Sequence, residues 1–127
     1  MNKKLVKAVI GQLGDVLSLE DVYNHGASGG FCGFTYYSDT IDFFRKNKKE
    51  IVELAENMAN DLGEDVTNMI KGFNCLKDYG LDNSQIGRVL YGRFSDSGDN
   101  TGIMNALSWF ALEEVARHEM EKVNLGE

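Results

Sequence analysis

Apolar side chains recur at intervals of three and four residues along most of this chain, which is the period of one face of an α-helix. The first such stretch is residues 3–13, and Gly14 directly after it is a natural helix end. Ser18 is then placed to cap a short helical turn through Val22 and Tyr23. The pattern therefore predicts one well-defined helix at the start of the chain and a shorter one after it.

The longest repeat begins after Ser38 or Asp39, either of which can cap a helix, and Gly63 follows it as a stop. Residues 45–50 contain no apolar side chain, so the pattern leaves open whether residues 39–62 form one helix or two. One face carries the apolar positions and the other the acidic ones. The apolar residues are Ile41, Phe43, Phe44, Ile51, Leu54, Ala55, Met58, Ala59 and Leu62, and the acidic residues are Glu50, Glu53, Glu56 and Asp61.

Three further helices are predicted in the second half of the chain. Asp65 can cap the first of them, which Gly80 would end, and Asp82 or Asn83 can cap a second, shorter one. The last opens at residues 100–101, after a polar connection. Their apolar residues are Val66, Met69, Ile70 and Phe73 in the first, Ile86, Val89 and Leu90 in the second, and Ile103, Met104, Leu107, Phe110, Ala111, Val115 and Met120 in the last.

The segment from Asn24 to Tyr37 has a different texture, in which glycines alternate with aromatic residues and a cysteine. Glycine in a helix interior costs about 1 kcal/mol relative to alanine, whereas it is well suited to tight turns. We therefore expect an ordered loop here that packs against the helices. Phe34 to Tyr37 favour at most a minor strand, since one strand alone cannot form a sheet.

These patterns predict an all-α or mainly α fold in which residues 1–127 form a single domain. The expected architecture is a compact bundle of about five helices with the glycine/aromatic-rich loop packed across it. A composition with 43% hydrophobic and 26% charged residues is ordinary for a globular domain of this length. The sequence shows no internal repeat and contains no proline, so nothing indicates a linker between domains.

Cysteine content and hydropathy bear on the compartment. Two cysteines, Cys32 and Cys75, are too few for a disulfide scaffold and favour a reducing environment. The N-terminal residues lack the long apolar core of a signal peptide, and no run of about 18 apolar residues would span a membrane. We therefore expect a cytoplasmic protein that makes no membrane contact.

The net charge of −7 narrows the class of partner. The residues after Gly63 include 6 basic and 11 acidic ones, against 7 and 9 before it, so the second half carries most of the excess. Affinity for nucleic acid comes largely from lysines and arginines at phosphates, so this balance argues against direct binding of nucleic acid. It permits binding to a basic protein surface, although modest negative charge is also typical of soluble proteins in general.

Candidate chemistry in the sequence is sparse. His25 and Cys32 lie in the glycine-rich segment, and a thiolate nucleophile needs a nearby base, but no acid is placed to orient the histidine. Asp96, Asp99 and Asn100 lack the spacing of a calcium loop, and the two histidines and two cysteines lack the paired spacing of a zinc site. We therefore expect no catalytic residue, no metal ligand and no cofactor.

Three segments together resemble a family of short uncharacterised proteins carried by phages and plasmids. They are residues 25–30 (HGASGG), 36–44 (YYSDTIDFF) and 107–117 (LSWFALEEVAR). What the resemblance implies is a mobile-element setting, in which small acidic proteins often block a host defence complex, as anti-CRISPR and anti-restriction proteins do.

The function expected from charge and resemblance is stoichiometric inhibition of a host defence complex, such as a CRISPR or restriction nuclease, through a basic surface on that partner. Two alternatives remain open. One is a small cysteine-dependent enzyme that uses Cys32 and His25, and the other is a DNA-binding regulator that uses residues 65–93. The residues expected to take part in binding are Asp96, Asp99, Glu113, Glu114, His25, Tyr36 and Tyr37.

Overall fold

A computed structural model describes residues 2–14, 19–25, 34, 37–62, 66–91 and 100–124 of the chain. Within these ranges every regular element is a helix, which confirms the prediction of a mainly α-helical fold. The expected glycine/aromatic-rich loop lies almost wholly outside the described residues. The helices are α1 (Lys3–Leu13), α2 (Leu19–His25), α3 (Tyr37–Lys46), α4 (Lys48–Leu62), α5 (Val66–Gly72), α6 (Asn74–Asp78), α7 (Asn83–Leu90) and α8 (Thr101–Asn124).

The described ranges thus hold eight helices where the sequence predicts about five, partly because residues 39–62 form two helices. Asn47 separates α3 from α4 and is buried. Its side-chain Nδ2 donates a hydrogen bond of 2.9 Å to the carbonyl oxygen of Phe43. The backbone N–H of Asn47 donates to the carbonyls of both Phe43 and Phe44, at 3.2 and 3.1 Å, so the turn tightens at this residue. The two helices, which the hydrophobic pattern leaves open, thus meet at a buried asparagine.

The helix predicted between Asp65 and Gly80 is also divided, into α5 and α6. The backbone N–H of Phe73 at the junction donates to the carbonyl of Ile70 at 3.1 Å, which is a tight three-residue turn. Both Phe73 and Leu76 are completely buried, and the Phe73 ring lies 5.6 Å from that of Phe110 on α8. The helix is thus interrupted at a point where both of these side chains are buried in the core.

Several helix ends lie where the sequence places them. Gly14 and Gly80 have φ values of 65° and 94°, in the region that favours glycine. The N–H groups of Gly80 and Leu81 donate to the carbonyls of Lys77 and Leu76, which is the Schellman arrangement at the end of α6. Asp82 caps α7 in a capping box with Gln85.

Helix α8 is the centre of the structure and packs against α1, α2, α3, α4 and α6. Its contact with α3 includes two buried or half-buried hydrogen bonds. Ser108 Oγ donates to the carbonyl oxygen of Thr40 at 2.6 Å, and Thr40 Oγ1 donates to Asn105 Oδ1 at 2.7 Å. The buried residues of α8 are Ile103, Met104, Ala106, Leu107, Ser108, Phe110, Ala111, Leu112, Val115 and Ala116.

Among the helices in the described part of the chain, none combines the length and the apolar character needed to cross a membrane.

Candidate functional site

Several of the residues predicted to take part in binding or catalysis lie outside the described residues: Asp96, Asp99, Tyr36 and Cys32. His25 is the last residue of α2 and is exposed. Tyr37 opens α3, and its side chain is outside what the structure describes. The proposed pairing of Cys32 with His25 and the role of Asp96 and Asp99 therefore stay predictions.

Glu113 is engaged by an aromatic cluster on its own chain. The hydroxyl of Tyr79 donates a hydrogen bond to its carboxylate. The Tyr79 ring is stacked on Trp109, with the two ring centroids 6.1 Å apart and an angle of 15° between the planes. Burial, and then this carboxylate, raise the pKa of Tyr79 far above its usual range. Glu113 is thus held at a half-buried position where it supports the packing of α6 on α8.

Glu114 is engaged in a chain of charged contacts along α8. Arg117 Nη2 lies 2.7 Å from Glu114 Oε2, and Arg117 Nη1 lies 3.2 Å from Glu121 Oε2. The hydrogen bond to Glu114 is the main cause that raises the pKa of Arg117. The ring of His118 lies 3.1 Å from Arg117 Nη2 and 4.0 Å from Glu114 Oε2. Glu113 and Glu114, both predicted to meet a partner, therefore already have partners within the chain.

Cys75, the cysteine that the structure describes, has the environment of a structural thiol. It is unpaired with another cysteine and half-buried. Burial raises its pKa to about 11, and the charges of Glu114 and Glu113 add to the shift. A thiol in such surroundings is protonated at neutral pH, whereas the nucleophile of a cysteine enzyme is the thiolate.

A groove between α1, α4 and α8 is one of several concave surfaces among the described residues, and it is more enclosed than two others of about 410 and 310 Å³. Its volume is about 210 Å³. Four of its side chains, Glu50, Leu54, Asn57 and Asp61, follow one another on α4 at spacings of four, three and four, so they form a stripe along one side of that helix. The complete lining, called the acidic groove below, is Asn2, Leu5, Glu50, Glu53, Leu54, Asn57, Met58, Asp61 and His118.

The acidic groove combines an apolar floor with an acidic rim. Leu5 is completely buried, and Leu54 and Met58 are partly buried against the core. Glu53 and Asp61 are exposed. The groove therefore offers carboxylate oxygens above methyl and methylene groups, which is the arrangement that complements an amphipathic cation.

A cation of the same chain already lies at this rim. Lys4 Nζ on α1 is 3.0 Å from Glu50 Oε1, with exposed side-chain fractions of 62% for the lysine and 11% for the glutamate. The hydrogen bond from Lys4 is the main cause that lowers the pKa of Glu50. The Glu50 carboxylate thus already accepts a hydrogen bond from an ammonium group.

The sequence pattern alone does not predict the acidic groove. The repeat places Glu50, Glu53 and Asp61 on the outer face of a helix, where carboxylates are ordinary, and pairs His118 only with Glu114 at i and i+4. The stripe of α4 residues is a signal that the sequence does contain. Its conversion into a groove depends on α1 and α8 lying against α4, which no local pattern specifies.

Within the described part of the chain, no group of three or more histidine, cysteine, aspartate or glutamate side chains is arranged to hold a metal ion.

Most of the chain matches the model of a known protein family. Residues 13–124 match the family described as Domain of unknown function (DUF7222). The match includes α4 and α8, whereas most of α1 precedes it. No curated protein and no solved structure matches the chain.

Proposed function

The chain belongs to the DUF7222 family, and we propose that it works by stoichiometric binding of a protein with a basic surface rather than by catalysis. The observation that carries this proposal is the acidic groove. Glu50, Glu53 and Asp61 line it together with Leu54 and Met58, which are only partly buried. A lysine or arginine of the partner lays its methylene stem on Leu54 and Met58 and places its charged head among the carboxylates.

The size of the groove favours a protein side chain over a free small molecule. Sites for small molecules and cofactors usually enclose roughly 300–1,000 Å³, whereas this groove has about 210 Å³. One long side chain from a larger surface fills most of such a volume. The proposal therefore places a single basic anchor of the partner in the groove, with further contacts around the rim.

The charge order along α4 supports a binding role. Asp61 lies in the last turn of this helix, which contains no basic residue, whereas the first turn holds Glu50 together with Lys48 and Lys49. The helix dipole disfavours the carboxylate of Asp61 by roughly 0.3–1 kcal/mol. A sequence that departs from a local preference often does so for function. A cationic partner at Asp61 supplies that reason.

The contact between Lys4 and Glu50 supports the same proposal. The side chain of Lys4 is 62% exposed, so a partner's cation can take its place at Glu50 and keep that carboxylate paired. Lys4 then holds the carboxylate in place when no partner is bound.

The partner class that we propose is a host defence nuclease complex of the CRISPR or restriction type, encountered in the cytoplasm. Such complexes carry basic surfaces because they bind nucleic acid. The support for this class is the resemblance of residues 25–30, 36–44 and 107–117 to proteins of mobile elements. No described residue adds support to the cysteine-dependent enzyme or to the DNA-binding regulator.

The test is affinity purification of the tagged protein from its native host, with mass spectrometry of the proteins recovered. The wild type is compared with a variant that carries Glu53→Lys and Asp61→Lys. A matched control carries Asp42→Lys and Asp78→Lys, since both aspartates are exposed on other helices and the change in net charge is the same. Circular dichroism establishes that all three proteins are folded.

We expect a nuclease complex in fixed ratio with the wild type and the control, and its loss from the groove variant. Equal recovery by all three proteins would contradict the groove as the binding site. Equal loss from both variants would mean that net charge alone drives the association. A partner of another class that depends on the groove would overturn the defence role and leave the groove intact.

A further inference from the structure

His118 links the acidic groove to the charged residues of α8. Its side chain lines the groove and is 40% exposed. The ring atom Nε2 lies 3.1 Å from Arg117 Nη2. The same atom is 4.0 Å from Glu114 Oε2. A change in the charge of this imidazole therefore acts on both the groove and the α8 contacts.

The contact with Arg117 is compatible with one form of His118. A guanidinium group can only donate hydrogen bonds, so the contact is a hydrogen bond when Nε2 accepts and the ring proton is on Nδ1. The ring is neutral in that tautomer. Protonation of Nε2 removes this hydrogen bond and brings two positive charges next to each other.

Carboxylates on two helices lie around the imidazole of His118. On α8, Glu114 and Glu121 are already paired with Arg117. On α4, Glu50, Glu53 and Asp61 face the groove that His118 lines, and Lys4 of α1 is paired with Glu50. Imidazole is the side-chain group that ordinarily changes its charge between about pH 5 and 8.

We infer that His118 makes cation binding in the acidic groove pH-dependent: the neutral ring permits it, and the protonated ring opposes it. This inference rests on the proposed function. The sign follows from charge, because an imidazolium on the groove wall repels the ammonium or guanidinium group of a partner. Two positive charges several ångströms apart near a protein surface weaken binding by about three- to tenfold. Affinity therefore falls as the pH falls from about 8 to 6.

The test uses a fluorescently labelled peptide of about six arginines as the probe, with fluorescence anisotropy at pH 8.0 and pH 6.0 and constant ionic strength. The proteins are the wild type and His118→Gln. Glutamine keeps an acceptor for Arg117 and does not titrate in this range. His25, the other histidine of the chain, is exposed at the end of α2 and is present in both proteins, so any effect of its charge is common to both.

We expect the wild type to bind the peptide about three- to tenfold more weakly at pH 6.0 than at pH 8.0. His118→Gln should bind it with the same affinity at both. A pH dependence that persists in His118→Gln would overturn the inference and leave the groove as a binding site. A wild type that binds the peptide at neither pH would contradict the proposed function itself, so the two failures are distinguishable.

Discussion

At the scale of single residues, helix α8 uses its acidic side chains within the chain. Glu113 accepts from Tyr79, and Glu114 pairs with Arg117. Half-buried carboxylates need such partners, since the loss of a hydrogen bond at a buried polar group costs about 1–3 kcal/mol. Exposed carboxylates such as Glu53 and Asp61 have no such requirement. Their position at the groove rim makes them the better candidates for contact with another protein.

Cys75 leads to a prediction on pH dependence. Its pKa is raised to about 11, first by burial and then by Glu114 and Glu113. Alkylation by iodoacetamide requires the thiolate, so in the folded protein the rate at Cys75 should rise about tenfold per pH unit from pH 8 to 10. In protein unfolded by urea, the alkylation rate at Cys75 should level off near pH 9. Peptide-resolved mass spectrometry separates Cys75 from Cys32 and measures both rates.

The same shift has a consequence for stability. Because the pKa of Cys75 is raised in the folded state, its neutral thiol adds to the free energy of unfolding. This contribution is fully present below about pH 9 and is lost as the pH rises through about 11. A folded-state alkylation profile that matches the unfolded one would contradict the buried, protonated thiol.

At the scale of the helices, small local interactions decide where each one begins and ends. The buried Asn47 lies between α3 and α4, and its side chain donates a hydrogen bond to the carbonyl of Phe43. Gly80 ends α6 with a positive φ that other residues rarely adopt. The buried position of Asn47 depends on where its side chain points, whereas the stop at Gly80 depends on residue type alone. Glycine stops are therefore visible in a sequence, whereas an inward-turning asparagine is not.

Gly80 and Gly87 form a matched pair for a prediction. A Cβ atom at either position meets no atom within 4 Å, so packing does not distinguish the two substitutions. Gly80→Ala forces alanine to φ 94° and should lower the free energy of unfolding by about 1–2 kcal/mol. Position 87 lies inside α7 with an ordinary φ, so Gly87→Ala should raise the free energy of unfolding by about 0.5–1 kcal/mol.

Urea unfolding followed by circular dichroism measures both changes. A loss of stability in both variants would show that the interior of α7 requires glycine at position 87 for another reason. No loss in Gly80→Ala would mean that the end of α6 relaxes to another turn.

At the scale of the whole molecule, one helix joins most of the others. Helix α8 contacts α1, α2, α3, α4 and α6, and side chains around most of its circumference are buried. A helix surrounded in this way has no single polar face over its buried part. The described helices therefore share a core, and damage to the middle of α8 affects the whole molecule.

Phe110→Ala tests this shared core. Phe110 is completely buried, and its ring lies 5.6 Å from that of Phe73. Removal of a buried phenylalanine side chain typically costs about 3–5 kcal/mol, a large part of the 5–15 kcal/mol that stabilises an ordinary domain. We expect one cooperative unfolding transition at lower denaturant concentration, with coincident curves from circular dichroism and from the fluorescence of Trp109, the single tryptophan.

Val123→Ala is the control, because Val123 lies on the same helix and is 67% exposed. This substitution should change the free energy of unfolding by no more than about 0.5 kcal/mol. Separate transitions by the two probes in Phe110→Ala would show that the helices around α8 do not unfold as one unit.

The sequence by itself determined the helical class and several helix limits. The interval of three and four residues predicts helices wherever apolar side chains need one buried face, and the ends at Gly14, Gly80 and Asp82 follow from backbone freedom and capping. These are local properties, since each depends on residues within a few positions of one another. Net charge is likewise independent of packing, since it is a sum over the residues, and the expectation that the chain does not bind nucleic acid directly depends on it.

Only the tertiary structure decided which charged residues are available. Glu113 and Glu114 look like surface carboxylates in the sequence, yet packing gives them Tyr79 and Arg117 as partners. Glu50, Glu53 and Asp61 look like an ordinary outer face, yet α1 and α8 turn that face into one wall of a groove. Contacts between residues distant in the chain depend on how helices pack, and the periodicity of each helix carries no information on its neighbours.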